Sequence, residues 1–409
     1  MYLRLALLGI LLLFGQIILH AQDTLRVMYY NVLNYPGSTP QRATYFKEIC
    51  SFVKPDVLLV GELTNDTGAD MLLQAIDSVF PGAYSRAAFI NGPDSDNMLF
   101  YNALKTGIVH QENIPTALRD HSYYKIFLKG DYLNYTDTVF LNLFVVHLRS
   151  SKGIQNENLR YDELLRLKAF YEALDEPVNI LAGGDFNFYS YSEAGYQLLV
   201  DSLAEVPLFD PLQAGIWSNN PDFAALHTQS TRLAAFGGGA TGGLDDRFDF
   251  IFHSADITSG ANRLQLIPGS CRAIGNCGLH FNKAVIDPPV GVCVPENISQ
   301  ALYYMSDHLP VYAELLFSGK LATTLPEQRP RYCTSVMTEV KNKVLYIRVQ
   351  GDSEYTYHIR IMDLTGRILL DTEGYTSISE IPLMGRGMFI ISVITDDGAL
   401  VFKQKIAVY

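Results

Sequence analysis

Several short segments of this 409-residue chain place chemically capable side chains where a strand is expected to end. They are Tyr30-Asn31-Val32-Leu33-Asn34, Val60-Gly61-Glu62-Leu63, Val146-His147-Leu148-Arg149-Ser150, Gly183-Gly184-Asp185-Phe186-Asn187, Arg247-Phe248-Asp249-Phe250 and Ser306-Asp307-His308-Leu309-Pro310. Each has a plain reading alone. An Asn or Asp after a strand forms turns or caps helices, and a His there often only satisfies a carbonyl. Their conjunction says more. It supplies hard oxygen ligands (Asn31, Glu62, Asp307), two histidines (His147, His308) and an Asp/Asn pair (Asp185, Asn187). Oxygen ligands without cysteine suit Mg²⁺ or Mn²⁺ and not zinc. Phosphoryl chemistry needs such a cation, a group that orients water and a donor to phosphate. The set holds a candidate for each role.

The elements around these segments alternate. A strand is expected over Leu25–Tyr30, and a helix follows with Ala43, Phe46, Ile49, Cys50 and Val53 at helical spacing. Val57–Val60 and Val178–Leu181 are short, continuous apolar strands, the pattern of strands buried on both faces. A second helix is expected over Ala69–Val79. Met98–Tyr101, Tyr124–Leu128, Thr138–His147, Phe248–Phe252 and Val311–Phe317 are further strands. Leu164, Leu167, Tyr171 and Leu174 line one face of a helix, with Glu163, Arg166 and Glu172 opposite. The fold class is α/β, helices on sheets, followed by a small all-β sandwich. Sites in open α/β folds form at strand ends, where these segments lie.

Composition bounds the function. Lys and Arg number 31 against 43 Asp and Glu, a formal charge of −12, and 48% of residues are hydrophobic. That excludes a disordered chain and a protein held on nucleic acid by a basic surface alone. A polyanionic substrate then requires a bound cation for local positive charge. The N-terminus, an Arg followed by an apolar run from Leu5 to Leu19 and then Ala21, has the form of a signal peptide, 1–21, cleaved after Ala21. An uncleaved anchor is the rival reading, although the run is short for a span. Export permits disulfides. Of Cys50, Cys271, Cys277, Cys293 and Cys333, the three from 271 to 293 share a loop-like stretch. A disulfide there is favoured over a zinc site with His280, because the spacing matches no structural zinc pattern.

In this order the segments resemble the endonuclease/exonuclease/phosphatase superfamily, metal-dependent phosphohydrolases that include deoxyribonuclease I. The resemblance covers roughly Thr24–Phe317 and is carried best by Gly-Asp-Phe-Asn at 184–187 and Ser-Asp-His-Leu-Pro at 306–310. It implies a two-sheet sandwich flanked by helices. It implies Glu62 as principal metal ligand with Asn31 and Asp307 near, and Asp185 and Asn187 orienting water and holding phosphate. It implies His308 on the scissile phosphate with Asp249 on its other nitrogen, and His147 as second histidine. Asp185 and His147 both qualify as general base. Tyr101 and Arg149 are candidate phosphate contacts. Leu33 stands where abasic-site endonucleases carry an acid, and the presence of His147 points to the deoxyribonuclease I-like and sphingomyelinase-like branches. The run Phe236–Gly243 lacks the Lys and helix of a nucleotide-binding P-loop, and is expected to be a mobile loop bordering the site.

After a catalytic domain (22–318) and a linker (319–331), the tail (332–409) resembles the C-terminal sorting domain of type IX secretion cargo. The matching pieces are Ile361–Arg367, Gly385–Phe389 and Lys403–Ile406. That implies contact with export machinery and a secreted or surface location. The expected protein is a monomeric, exported, Mg²⁺-dependent phosphodiesterase without a stable membrane span, acting on nucleic acid as a low-specificity endonuclease. The alternatives are a phospholipid phosphodiesterase or phosphomonoesterase on the same scaffold, and a non-enzymatic surface binding protein.

Overall fold

A computed structural model describes residues 23–129, 138–212, 215–234 and 236–317, and seven strand segments of the tail. The expected signal peptide, the linker and Cys333 lie outside the described residues. The first half runs β1 (Asp23–Tyr35), α1 (Ala43–Val53), β2 (Val57–Leu63), α2 (Asp66–Asp77), β3 (Tyr84–Arg86), β4 (Asp96–Asn102), β5 (Thr106–Ile114), β6 (His121–Leu128) and β7 (Phe140–His147). The second continues with α3 (Ile154–Glu172), β8 (Ile180–Asp185), α4 (Ala194–Val200), β9 (Leu208–Phe209), β10 (Asp249–Ser254), α5 (Ala255–Ser259), β11 (Leu264–Leu266), β12 (Arg272–Ala273), α6 (Glu296–Met305) and β13 (Val311–Phe317).

Two mixed sheets result. One is ordered β11-β13-β1-β2-β4-β3, with β12 beside β13; the other is β5-β6-β7-β8-β10-β9. Both centre on a parallel pair, β1/β2 and β7/β8, flanked by antiparallel neighbours. Each pair is joined through a helix, α1 or α3, the crossover a parallel connection requires. The sheets share one core, in which Leu59 and Tyr29 meet Leu143, Leu181 and Ile251. A second core packs Leu164, Leu167 and Tyr171 of α3 against the outer face of β7, β8 and β10. This is the sandwich with outer helices expected from the sequence.

The α1 face matches its expected stripe, with Phe46, Ile49, Cys50 and Val53 buried. Asn65 caps α2 through its side chain, which accepts the Gly68 N–H at 2.8 Å. Three features differ from expectation. α6 lies inside what reads as loop, because Gly, Pro and Cys before it obscure its buried stripe of Ile298, Ala301, Leu302 and Met305. β5 is hidden in the sequence because Val109, His110 and Glu112 face solvent. Glu163, assigned to the polar face of α3, is 5% exposed and accepts the Arg149 N–H at 3.1 Å.

In the tail, β14 (Ser335–Lys341), β15 (Val344–Gln350) and β18 (Ile378–Pro382) form one antiparallel sheet in the order β14-β15-β18. The other is β17-β16-β19-β20, from β16 (Tyr357–Asp363), β17 (Ile368–Gly374), β19 (Gly387–Thr395) and β20 (Leu400–Val408). Ile359, Ile361, Phe389 and Ile391 are buried on alternating positions of β16 and β19. The chain divides into two compact units, Met1–Leu321 and Ala322–Tyr409. Among the described residues no helix is long and apolar enough to cross a membrane.

Candidate metal and phosphate site

The two parallel pairs deliver four side chains to one edge. Asn31 stands near the end of β1, Glu62 near the end of β2, His147 ends β7 and Asp185 ends β8. The parallel register pairs His147 with Asp185, and the antiparallel β8/β10 register pairs Asp185 with Asp249. Asp307 and His308 immediately precede β13. Small residues make these approaches possible. A Cβ at Gly61 would collide with the Tyr29 hydroxyl, and one at Gly184 with the Val146 carbonyl of the adjacent strand. A Cβ at Gly183 would sit 2.9 Å from Leu59 of the opposite sheet.

Asp185 is the hub. Its Oδ2 accepts the Asn31 amide at 3.2 Å and lies 3.5 Å from His147 Nε2 and 3.7 Å from His308 Nε2. Its Oδ1 accepts the Asn187 N–H at 3.2 Å, and the Asn187 amide donates to the Leu148 carbonyl. His308 Nδ1 faces Asp249 Oδ2 at 2.8 Å. Glu62 accepts from the Asn31 amide at 2.9 Å and from the Asn34 N–H at 3.0 Å. Asp307 Oδ2 accepts the Ala240 N–H at 2.7 Å and the Gln229 amide at 3.2 Å, and that same amide lies 2.6 Å from His308 Nε2.

Burial shapes the electrostatics. It pushes the Asp185 carboxyl up to about 8, the His308 charge opposing and Asp249 and Glu62 reinforcing it. Burial also raises Glu62, against His308 and the Asn31 hydrogen bond. It lowers His147, helped by the charges of Arg119 and His308. For His308 burial acts downward too, but Asp249, Asp307 and Asp185 outweigh it and hold the ring well above its usual value. His308 is thus the cation of the cluster and His147 its neutral imidazole.

A divalent cation fits this donor set. Glu62, His147 and Asp185 offer ligand atoms within 4.8 Å of one another, as do Asp185, Asp249 and His308. Asp307 Oδ1 and Asp249 Oδ1 are buried without a partner among the described residues. Raised carboxyls and orphaned oxygens mark negative charge that a hard cation would neutralise. Asn31 meets Glu62 through its amide nitrogen, its own oxygen taken by the Leu33 N–H at 3.0 Å. Glu62, oriented by Asn31, would hold the ion together with Asp185 and His147, while Asp307 lies outside both clusters.

The remaining expectations fare differently. Tyr101 pairs with Val57, at the opposite end of β2 from Glu62, so it stands on the far edge of the sheet. Its strand is where the sequence puts it, but no Tyr101 side chain reaches the phosphate site. Arg149 is exposed and its Nε donates to Asn156 at 3.1 Å. The sequence offers no carboxylate to orient His147, and His147 Nδ1 has no partner among the described residues. The Gly-rich run does border the site: a Cβ at Gly239 would lie 2.7 Å from the Asp307 carboxyl. Cys277 and Cys293 form the disulfide, which excludes the zinc reading, while Cys50 and Cys271 are free and buried.

Three contributors carry no sequence signal. Arg119 donates to the Leu148 carbonyl at 3.3 Å, the same oxygen Asn187 uses, and its charge reaches Glu62, His147 and Asp185. Gln229 donates to Asp307 and lies beside His308 Nε2. The Tyr29 hydroxyl lies buried and unpartnered among the described residues, within the influence of Asp185, Asp249 and Glu62. Tyr29 lies within β1 and Gln229 outside the named strands, while Arg119 precedes β6, a strand the sequence shows only from Tyr124.

Solved structures similar to this chain include an endonuclease/exonuclease/phosphatase family protein from Bacteroides thetaiotaomicron, at 16% identity over 72% of this chain and 98% of that one, TM-score 0.46. TDP2 of D. rerio complexed with a single-strand DNA product is similar at 17% identity over 72% and 99%, TM-score 0.47. The human Nocturnin catalytic domain with bound sulfate is similar at 18% over 72% and 97%, TM-score 0.46. No curated protein matches the chain. The profile of the Endonuclease/Exonuclease/phosphatase family matches residues 28–308, from β1 to His308. The chain belongs to that family and is a metal-dependent phosphoric ester hydrolase.

Proposed function

We propose that the protein is an exported, Mg²⁺-dependent phosphodiesterase that cleaves nucleic acid with little sequence specificity. The observation that carries this reading is the meeting of three groups at Asp185 Oδ2: neutral His147, cationic His308 and the Asn31 amide. Glu62 and Asp185, with His147 beside them, would hold Mg²⁺ or Mn²⁺, which would supply positive charge to the phosphate. His308, kept charged by Asp249, donates to a non-bridging phosphate oxygen and stabilises charge developing there. Asp185, a carboxylate of raised basicity, orients the attacking water and takes its proton, and Asn187 fixes the Asp185 rotamer. Arg119, ion-paired with Asp94 at 3.0 Å, adds positive charge felt at Glu62, His147 and Asp185.

The acidic overall charge suits an enzyme that releases a polyanion readily, the local cation being the metal. A lipid substrate calls for exposed aromatic side chains on the segment from Cys271 to Tyr304. The exposed apolar side chains there are aliphatic, Leu279, Val290 and Val292. Export rests on the sequence of 1–21 and of the tail. The test sets duplex DNA, single-stranded DNA, RNA, sphingomyelin vesicles and sugar phosphates before the purified full chain, with Mg²⁺ or with chelator. Cleavage of nucleic acid is expected, abolished by chelator. In Glu62→Ala it is expected to fall roughly 100-fold or more, the scale of lost transition-state charge stabilisation. Hydrolysis of lipid or monoester with nucleic acid left intact would overturn the substrate. Chelator-resistant activity would overturn the site.

A further inference from the structure

Beside the metal site lies an aromatic cluster that the hydrolytic machinery does not use. Phe236 opens the Gly-rich run and is 42% exposed. Its ring meets Tyr304 edge-on at 5.2 Å and Tyr303 at 6.4 Å, both on α6, and Tyr45 of α1 stacks on Tyr304 at 5.3 Å. The Arg232 guanidinium lies 5.4 Å from the Phe236 centroid and also donates to the carbonyls of Phe236, at 2.6 Å, and Tyr303, at 2.7 Å. Arg232 itself is fully buried. One face of the ring is therefore covered by a cation fixed in the fold and one edge by a tyrosine. The ring is held rigid from below rather than left to rotate on a loop.

The placement ties this ring to the reaction. Only Gly237 and Gly238 separate Phe236 from Gly239, which packs on the Asp307 carboxyl and on Leu33. The Phe236 backbone thus stands within about 10 Å of the Gly239 backbone, beside that carboxyl, by the reach of an extended chain. That is a distance a base can span when its own or its neighbour's phosphate occupies the site. An exposed aromatic ring backed by an arginine is a stacking platform that tolerates any base.

We propose that Phe236 stacks on a nucleobase next to the scissile phosphate, which makes the preferred substrate a single strand or a frayed end, where a base face is free. This rests on the nuclease reading above. The full chain is assayed with Mg²⁺ on an oligonucleotide and on the same oligonucleotide carrying an abasic spacer beside the cleaved bond. Wild-type enzyme is expected to show a KM roughly tenfold lower for the intact oligonucleotide, the scale of one base–aromatic stack. In Phe236→Leu, which keeps an apolar group at an exposed position, the intact-to-abasic KM ratio falls to near one; in Phe236→Trp it persists. A ratio unchanged in Phe236→Leu overturns the stacking proposal and leaves the nuclease intact. Wild-type enzyme that cleaves neither oligonucleotide overturns both.

Discussion

Asp249 decides the charge of His308. Burial alone would leave this ring neutral, and the carboxylate 2.8 Å from Nδ1 opposes that more strongly than any other group around it. Asp249→Asn keeps the shape and removes the charge. The His308 pKa then falls, and the cation is lost as pH rises through that lower value. The alkaline limb of the pH–rate profile moves toward acid, and activity at pH 8 drops roughly 100-fold or more, the usual scale for a mis-set acid–base group. A variant profile that superimposes on the wild type would show that Asp249 does not control His308. At this scale the sequence was most legible, because Asn31, Glu62, His147, Asp185, Asp249, Asp307 and His308 all follow or precede apolar strands. Arg119 and Gln229 were invisible, since each is brought in by loop conformation rather than by a strand period.

At the scale of elements, two glycines set how closely strands deliver the acids. A methyl group at Gly184 meets backbone, the Val146 carbonyl of β7, which cannot turn aside. A methyl group at Gly183 meets the end of the Leu59 side chain, which can. Gly184→Ala is therefore expected to destabilise by about 1–3 kcal/mol, the cost of overpacking a tight interior, and Gly183→Ala by less. Chemical denaturation midpoints measure both. Equal losses would show that inter-strand approach at Gly184 is not limiting. The sequence showed the paired strands through their apolar runs, but not their order in the sheets. Tyr101 illustrates the difference: its strand was legible, and only the register with Val57 reveals that it lies at the far edge. α6 was hidden by Pro295 and the glycines before it, although its apolar spacing was present.

Across the whole molecule, buried histidines make the fold sensitive to acid. Burial pushes His121 down to about 4, and lowers His147, His227 and His253 as well. The unfolded chain takes up a proton on His121 near pH 6.5, whereas the folded chain resists until about 4. The unfolded state thus binds more protons in that window, and stability falls as pH drops through it, by about 3 kcal/mol for His121 alone. His308 and the raised carboxyls of Asp185, Glu62 and Asp245 act the other way, their contributions present at low pH and lost as pH climbs. Relative to His121→Gln, the wild-type melting temperature is expected to lose ground steadily from pH 7 to pH 4; a constant difference between the two proteins would contradict it. At this scale the sequence conveyed two units and an α/β core but not which loops the disulfide joins, because cysteine spacing leaves pairing open.

In the proposed function the buried acids and His308 act as one metal-dependent centre for phosphodiester hydrolysis. Supercoiled plasmid incubated with the full chain, in Mg²⁺ or in EDTA, beside the His308→Ala variant, tests this most directly. Nicking that requires Mg²⁺ and disappears in the variant is the predicted result. Nicking that survives EDTA or the loss of His308, or a folded wild-type preparation that leaves both the plasmid and a single-stranded oligonucleotide intact, would contradict it.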